Sequence, residues 1–321
     1  MANRRVSGRL AILAAVILMA IGKVAYGTWL SAVPSPLYVL VSFSLITLIF
    51  LPFHGRKTGQ SAPGPLLLLN ISTALCFLFF FYALKLLEPA VAGAVQFGMG
   101  PILAALITLA TTGTRPTPLK AVVCMGLLSG CILLAASAVN GSGIASDNLD
   151  GWLGLAAILA SGTGSVLITM SSKALSQRGW SSGAILAHRC YLIVPLALIL
   201  TVLDQNAASV FSTTPVPVLL AIAILGTILP ICLLQIGIER TDPHTVMVMM
   251  AGIPVFTFLV EGFSPLYVWS FLTASGLAVI TAFILLDVFG ARPATGLSRA
   301  RRPTAGQGAR SAQSPAAAPT E

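Results

Sequence analysis

Charge is what this sequence has least of. Of 321 residues, 18 are Lys or Arg and 9 are Asp or Glu, so charged side chains make up 8%, where a soluble domain carries roughly 25%. So few charges cannot give a chain of this length a water-facing surface, which excludes an ordinary cytosolic enzyme and a disordered protein. Cysteine is sparse as well: Cys76, Cys124, Cys131, Cys190 and Cys232 are scattered through apolar runs with no CxxC pair. That pattern excludes a disulfide scaffold or zinc framework and reads as small packing residues. No HExxH, paired intramembrane Asp or Ser/His arrangement points to an intramembrane enzyme, and neither metal nor cofactor is expected. No Asp or Glu lies in the middle of an apolar run, so no carboxylate proton relay of the usual kind is visible.

What is abundant is apolar length. Hydrophobic residues make up 56%, in runs of about 20 residues, the length of one bilayer crossing. These runs predict an all-α integral membrane protein of ten transmembrane helices. They fall at 10–30, 36–53, 64–84, 89–110, 119–139, 151–172, 183–203, 217–238, 243–261 and 265–289. Ser35-Pro36, Glu88-Pro89, Asp242-Pro243 and Ser264-Pro265 each place a polar residue before a proline suited to the first helical turn. Trp29, Trp152, Trp180 and Trp269 lie near span ends, as interfacial anchors should.

The net charge of +9 has no basic domain to serve nucleic acid, so its first explanation is topology. With a cytoplasmic N-terminus, the inside segments hold Arg4, Arg5, Arg9, Arg56, Lys57, Arg115, Lys120, Lys173, Arg178, Arg240 and the tail's five arginines. Only Lys85 falls outside, and Lys23 and Arg189 lie within spans. Positive charge on one side places both termini in the cytoplasm of a multi-pass protein of the inner membrane. Glu88, Asp147, Asp150, Asp204 and Glu261 then fall in outer loops or at outer span ends. Arg4-Arg5 before an apolar run resembles a signal peptide, but the run is too long and leads directly into another span. The tail, 290–321, rich in Ala, Pro, Ser, Gly and Arg, is read as disordered, touching at most anionic headgroups.

The chain also echoes itself. Phe81–Pro89 can be laid over Gln235–Pro243, each the end of an apolar run, a polar break and an acidic residue before proline. Gly100-Pro101 and Ile253-Pro254 follow, one residue out of register. Five helices make an odd number of crossings, so a duplicate inserts upside down, as in many secondary transporters. The expected plan is an N-terminus at 1–9, a first five-helix repeat at 10–139, an extracytoplasmic linker at 140–150 and a second repeat at 151–289.

Two stretches, FYALKLLEPAVAGAVQFGMGPILAALITLA and ILGTILPICLLQIGIERTDPHTVMVMMAGIPVFTFLVEGF, resemble the third-to-fourth helix junctions of the EamA-type branch of the drug/metabolite transporter superfamily. The resemblance covers about residues 9–289 and implies two inverted five-helix repeats and small-molecule transport. The family often carries an Arg early in the second helix of each repeat; Arg189 matches it, whereas Ser42 stands at the first-repeat position. The family's members export amino acids, vitamins, metallophores, drugs and other metabolites, so the resemblance names no substrate.

Polar groups deep in a span are the default functional candidates. Lys23 could hold a substrate carboxylate, with Tyr26 three residues on along the same face; alternatively its ammonium snorkels to the headgroups. Arg189 could offer a bidentate contact or a structural or gating one, and neighbouring His188 is a candidate proton carrier. Gln96 is read as cavity lining, whereas Asn70 and Gln235 are read as helix-joining amides. Ser161, Thr163 and Ser165, near the repeat counterpart of Lys23, are candidate donors that could instead bond their own helix. Pro101, Pro230 and Pro254, each near a glycine, are candidate hinges. Two intramembrane cations without an anion favour a carboxylate-bearing or zwitterionic substrate.

The expected function is secondary transport, exporting small amphiphilic metabolites such as amino acids, carboxylate derivatives or metallophore-like molecules by alternating access. Uptake of a vitamin or nucleoside-like solute, and flipping of a lipid-linked substrate, are the alternatives. The expected partners are the small-molecule substrate and membrane lipids, with the chain a monomer or homodimer.

Overall fold

Prolines open many of the helices, because a ring that fixes φ and lacks an N–H costs nothing in the first turn. The computed structural model describes residues 2–55, 59–113, 115, 117–139, 148–204, 214–241, 246, 249–250, 252–264 and 271–290. In chain order the helices are α1 (Ala2–Trp29), α2 (Ser35–His54), α3 (Pro63–Ala83), α4 (Pro89–Thr112), α5 (Pro118–Val139) and α6 (Asn148–Gln177). Then come α7 (Ser182–His188), α8 (Ile193–Leu203), α9 (Val216–Ala223), α10 (Leu229–Arg240), α11 (Ile253–Glu261) and α12 (Phe271–Gly290). A π-helical stretch, Ile224–Ile228, joins α9 to α10. No strand occurs among the described residues.

Among the described residues, six helical stretches are long and apolar enough to cross a membrane: Val6–Trp29, Ser35–His54, Pro63–Ala83, Leu149–Gln177, Ser182–Leu203 and Val216–Arg240. Shorter apolar helices occur at Pro118–Leu134 and Phe271–Leu286. Their outward faces are apolar. On α1, Leu10, Leu13, Ile17 and Ile21 are exposed while Ile12, Ala15, Val16, Ala20 and Val24 are buried. An exposed stripe of that kind suits hydrocarbon, not water.

The packing is reciprocal. Helix α1 lies against the π stretch and α10, and α6 lies against α3. Helix α2 meets α7 and α8, α4 meets α11, and α5 meets α12. Small residues permit two close crossings. A Cβ added at Gly22 would lie 2.3 Å from the Gly226 Cα, and one added at Gly164 would lie 2.6 Å from the Cys76 backbone nitrogen. Only residues without a side chain let backbones approach so closely.

Several expectations need refinement or correction. The span expected at 183–203 is present as the apolar stretch Ser182–Leu203, but its helix is interrupted: α7 ends at His188 and α8 begins at Ile193. Pro254 stands in the first turn of α11, just after a turn at Gly252, and not in mid-helix. Pro230 also stands in a first turn, that of α10, directly after the π stretch. The wider π turn precedes the ring, so proline and π stretch together mark one irregular site. Trp180 is buried, its indole N–H donating to the Gln60 carbonyl at 2.9 Å, so it ties two connections together instead of anchoring in headgroups. Trp29 and Trp152 are exposed. Trp269, Asp242-Pro243, Pro265, the linker at 140–147 and the tail from 291 lie outside the described residues. Pro101 falls within α4, its side chain outside the described set.

Candidate functional site

Lys23 does not reach the surface. It is 7% exposed, and its ammonium has no hydrogen-bond partner among the described residues. Aromatic faces enclose it: Nζ stands 4.6 Å from the Phe80 ring centroid and 4.9 Å from that of Phe97. A Cβ added at Gly93 would lie 3.4 Å from the same nitrogen, so that glycine makes room for the ammonium. Cation–π contacts of this kind offset part of the desolvation cost, by about 2 kcal/mol when water is excluded. They leave the ammonium's hydrogen-bonding capacity unused.

Arg189 is another buried cation, 3% exposed, with an Nε–H that finds no acceptor among the described residues. Its guanidinium carbon stands 5.7 Å from the Phe77 centroid. Lys23 and Arg189 thus address rings three residues apart on α3. The Arg189 side chain leaves the gap between α7 and α8, which Asn70 of α3 fills. Asn70 Nδ2 donates to the His188 carbonyl at 2.9 Å, and Oδ1 accepts from the Tyr191 N–H at 2.9 Å. One amide from another helix therefore satisfies the backbone groups that the break exposes. His188 is committed as well, donating from Nε2 to the Gly55 carbonyl at 2.9 Å and accepting from the Tyr191 hydroxyl at 2.5 Å. Gln235 Nε2 is also a buried donor without a partner among the described residues.

Other candidates are already satisfied. Gln96 donates to Ser161 Oγ at 2.8 Å and to Cys76 Sγ at 3.7 Å, with Ser161 also donating to that sulfur at 3.8 Å. This network knits α3, α4 and α6. Thr163 and Ser165 donate to the carbonyls of Leu159 and Gly162 on their own helix, at 3.0 and 2.8 Å. Tyr26 donates to Ser35 Oγ at 3.3 Å and packs against Tyr38 and Phe81, with centroids at 4.6 and 5.0 Å.

Glu261, expected at an outer span end, closes α11 and is 3% exposed, and its Oε1 accepts a 2.6 Å bond from the backbone N–H of Ala90 in the first turn of α4. Glu88 precedes that helix without a side-chain cap, so the carboxylate cap arrives from α11 instead. Such a carboxylate faces the positive end of the helix dipole. In the connection between α3 and α4, burial pushes the Glu88 carboxyl up to about 7 and the Lys85 ammonium down to about 8. Lys85 donates to the Leu30 and Ser31 carbonyls at 3.0 and 2.5 Å.

An all-helical core with lipid-suited faces and unpaired interior cations fits a membrane carrier. Residues 6–136 match the EamA-like transporter family. That family is part of the drug/metabolite transporter superfamily. The EamA-matched stretch contains Lys23, Phe80, Gln96 and Phe97, whereas Arg189, Gln235 and Glu261 lie beyond it. No curated protein matches the chain. A solved structure described only as "Crystal structure of protein" matches over 91% of this chain and 99% of that chain, with a TM-score of 0.62 at 20% identity. At that identity the likeness concerns the fold.

Proposed function

We propose that this EamA-like membrane transporter is a secondary carrier exporting small amphiphilic carboxylate-bearing metabolites, amino acids or their derivatives, across the inner membrane. One observation carries the substrate class. Lys23 Nζ, Arg189 Nε and Gln235 Nε2 are buried nitrogens that can only donate, and none has an acceptor among the described residues. A buried donor left unpaired costs about 1–3 kcal/mol, more when charged. A ligand that relieves them brings acceptor oxygens, and the Phe77, Phe80 and Phe97 rings beside the cations suit its apolar part.

The reciprocal pairing of α1 with α10, α6 with α3, α2 with α7 and α8, α4 with α11 and α5 with α12 supports a two-fold plan of ten crossings in two inverted halves. The breaks at Arg189–Leu192, Ile224–Ile228 and Gly252 support rocking of those halves, since irregular backbone is where helices bend. Pro230 and Pro254 stand at two of these breaks, and Pro101 is the candidate hinge of the first half.

The deciding test compares metabolites in medium and cells with the gene overexpressed and deleted. A carboxylate-bearing metabolite should accumulate outside on overexpression, and Lys23→Gln should abolish this at unchanged membrane abundance. Transport of an organic cation but not of its carboxylated analogue would overturn the substrate class.

A further inference from the structure

We propose that Gly93 is a specificity-determining residue: the side chain it lacks leaves open the place beside Lys23 Nζ where an acceptor oxygen of the substrate sits. The inference rests on the carboxylate reading of Lys23, which makes that oxygen one of the carboxylate's, and adds what admits it. Gly93 is buried in the second turn of α4, among Ala90, Ala92 and Ala94. Glycine inside a helix weakens it relative to alanine, so its use at this position needs a reason.

Neither backbone conformation nor packing supplies that reason. Among the described residues the positive-φ glycines are Gly113 and Gly179, so the backbone at Gly93 suits an alanine. At Gly22 and Gly164 an added Cβ would run into the backbone of a neighbouring segment, at 2.3 and 2.6 Å. At Gly93 it would meet, outside its own helix and among the described residues, two atoms within 4 Å. They are Lys23 Nζ at 3.4 Å and Ile253 Cγ2 at 4.0 Å, both at ordinary contact distance. Packing would therefore accept a methyl group that the sequence withholds.

The missing methyl leaves an atom-sized opening with one polar wall. Lys23 from α1 forms that wall; Ile253, which opens α11 just after the turn at Gly252, forms an apolar one. The Phe80 and Phe97 rings cover other sides of the ammonium without accepting a conventional hydrogen bond from it. An oxygen about 2.7–2.9 Å from Nζ, the spacing of a charge-assisted hydrogen bond, fits this opening and satisfies the orphaned donor. A methyl carbon 3.4 Å from the same nitrogen would take that oxygen's place. Occupancy also brings the ligand against three helices at once, α1, α4 and α11.

Two substitutions separate the roles. Gly93→Ala only fills the opening, whereas Gly93→Ser fills it and brings a hydroxyl oxygen to the ammonium. Tm of the full chain in detergent is measured with and without phenylacetate, a probe with a carboxylate for Lys23 and a ring for Phe80 and Phe97. Phenylacetate should raise the wild-type Tm in a dose-dependent way. Gly93→Ala should weaken its apparent affinity about tenfold or more, while raising the unliganded Tm by about 2 °C through helix propensity. Propensity alone ranks serine below alanine. The hydroxyl–ammonium bond should reverse that order, and Lys23→Met, which removes the ammonium, should restore it. Equal phenylacetate affinity in wild type and Gly93→Ala would overturn the proposal, as would a serine–alanine order that ignores Lys23→Met. Failure of the carboxylate reading looks different: phenylacetate would stabilise neither wild type nor variant, while the order would still depend on Lys23. That result would uphold the opening as an oxygen's place and remove the carboxylate from it.

Discussion

The crossing of α1 over the π stretch and the crossing of α6 over α3 have the same mechanical basis and opposite chemistry. In each, a glycine lets backbones touch, Gly22 on Gly226 and Gly164 on Cys76. The next residue is Lys23 in the first case and Ser165 in the second. Around Ser165 every polar group discussed is paired: its own hydroxyl with Gly162, and Gln96 with Ser161 and Cys76. Around Lys23 the ammonium meets ring faces and, among the described residues, no hydrogen-bond partner. Two crossings can thus share a mechanical frame while one has its polar groups paired and the other does not.

The largest expected effect tests the shared frame. Gly22→Leu and Gly164→Leu each drive a side chain into backbone that cannot yield, and both should lose the folded carrier, read as monodisperse protein on size exclusion. Survival of either would show that its crossing is not tightly held.

Next comes the chemical difference. Lys23→Gln should reduce transport about 100-fold or more, in keeping with losing a desolvated charge–charge contact. The same variant should raise Tm, because it removes a buried charge lacking a hydrogen-bond partner. Ser165→Ala should leave both quantities nearly unchanged. An equal loss in the two variants would erase the distinction between the crossings.

The saturated side should respond to Gln96→Leu with a stability loss of about 1–3 kcal/mol, measured by thermal unfolding in detergent, and only a small change in transport. The smallest effect concerns pH. Because burial raises the Glu88 carboxyl from an ordinary 4.5 to about 7, the folded state binds more protons than the unfolded state between those values. Stability should therefore fall as pH rises from about 4.5 to about 7. Glu88→Gln should flatten that part of the Tm–pH profile; an unaltered slope would remove Glu88 as its source.

Much of this was legible in the sequence because low charge and apolar runs are local signals. Lys23 and Arg189 stood out as cations inside spans, and both are buried. What escaped is mostly non-local. The α7–α8 break lies in the turn before Pro195, whose ring cannot donate to the Tyr191 carbonyl; Asn70, on another helix, makes the break tolerable. Glu261 precedes Gly262, Phe263 and Ser264, a pattern that reads as a loop at the membrane surface. Only the packing of α11 on α4 reveals a helix cap. Gln96 was recognised as a polar group in a span, but its partners Ser161 and Cys76 come from other helices, so its commitment to packing could not be seen.

The π stretch settles a question of phase. In an unbroken α-helix, Leu219 and Gln235 would stand about 160° apart, at 3.6 residues per turn, yet both are buried. The wider turn at Ile224–Ile228 takes back part of that angle and brings Gln235 round to the inside. Tightening it into an ordinary α turn would rotate α10 about its own axis and carry the Gln235 amide toward lipid. The irregular turn therefore sets the rotation of α10 about its own axis, and with it the direction in which the Gln235 amide faces.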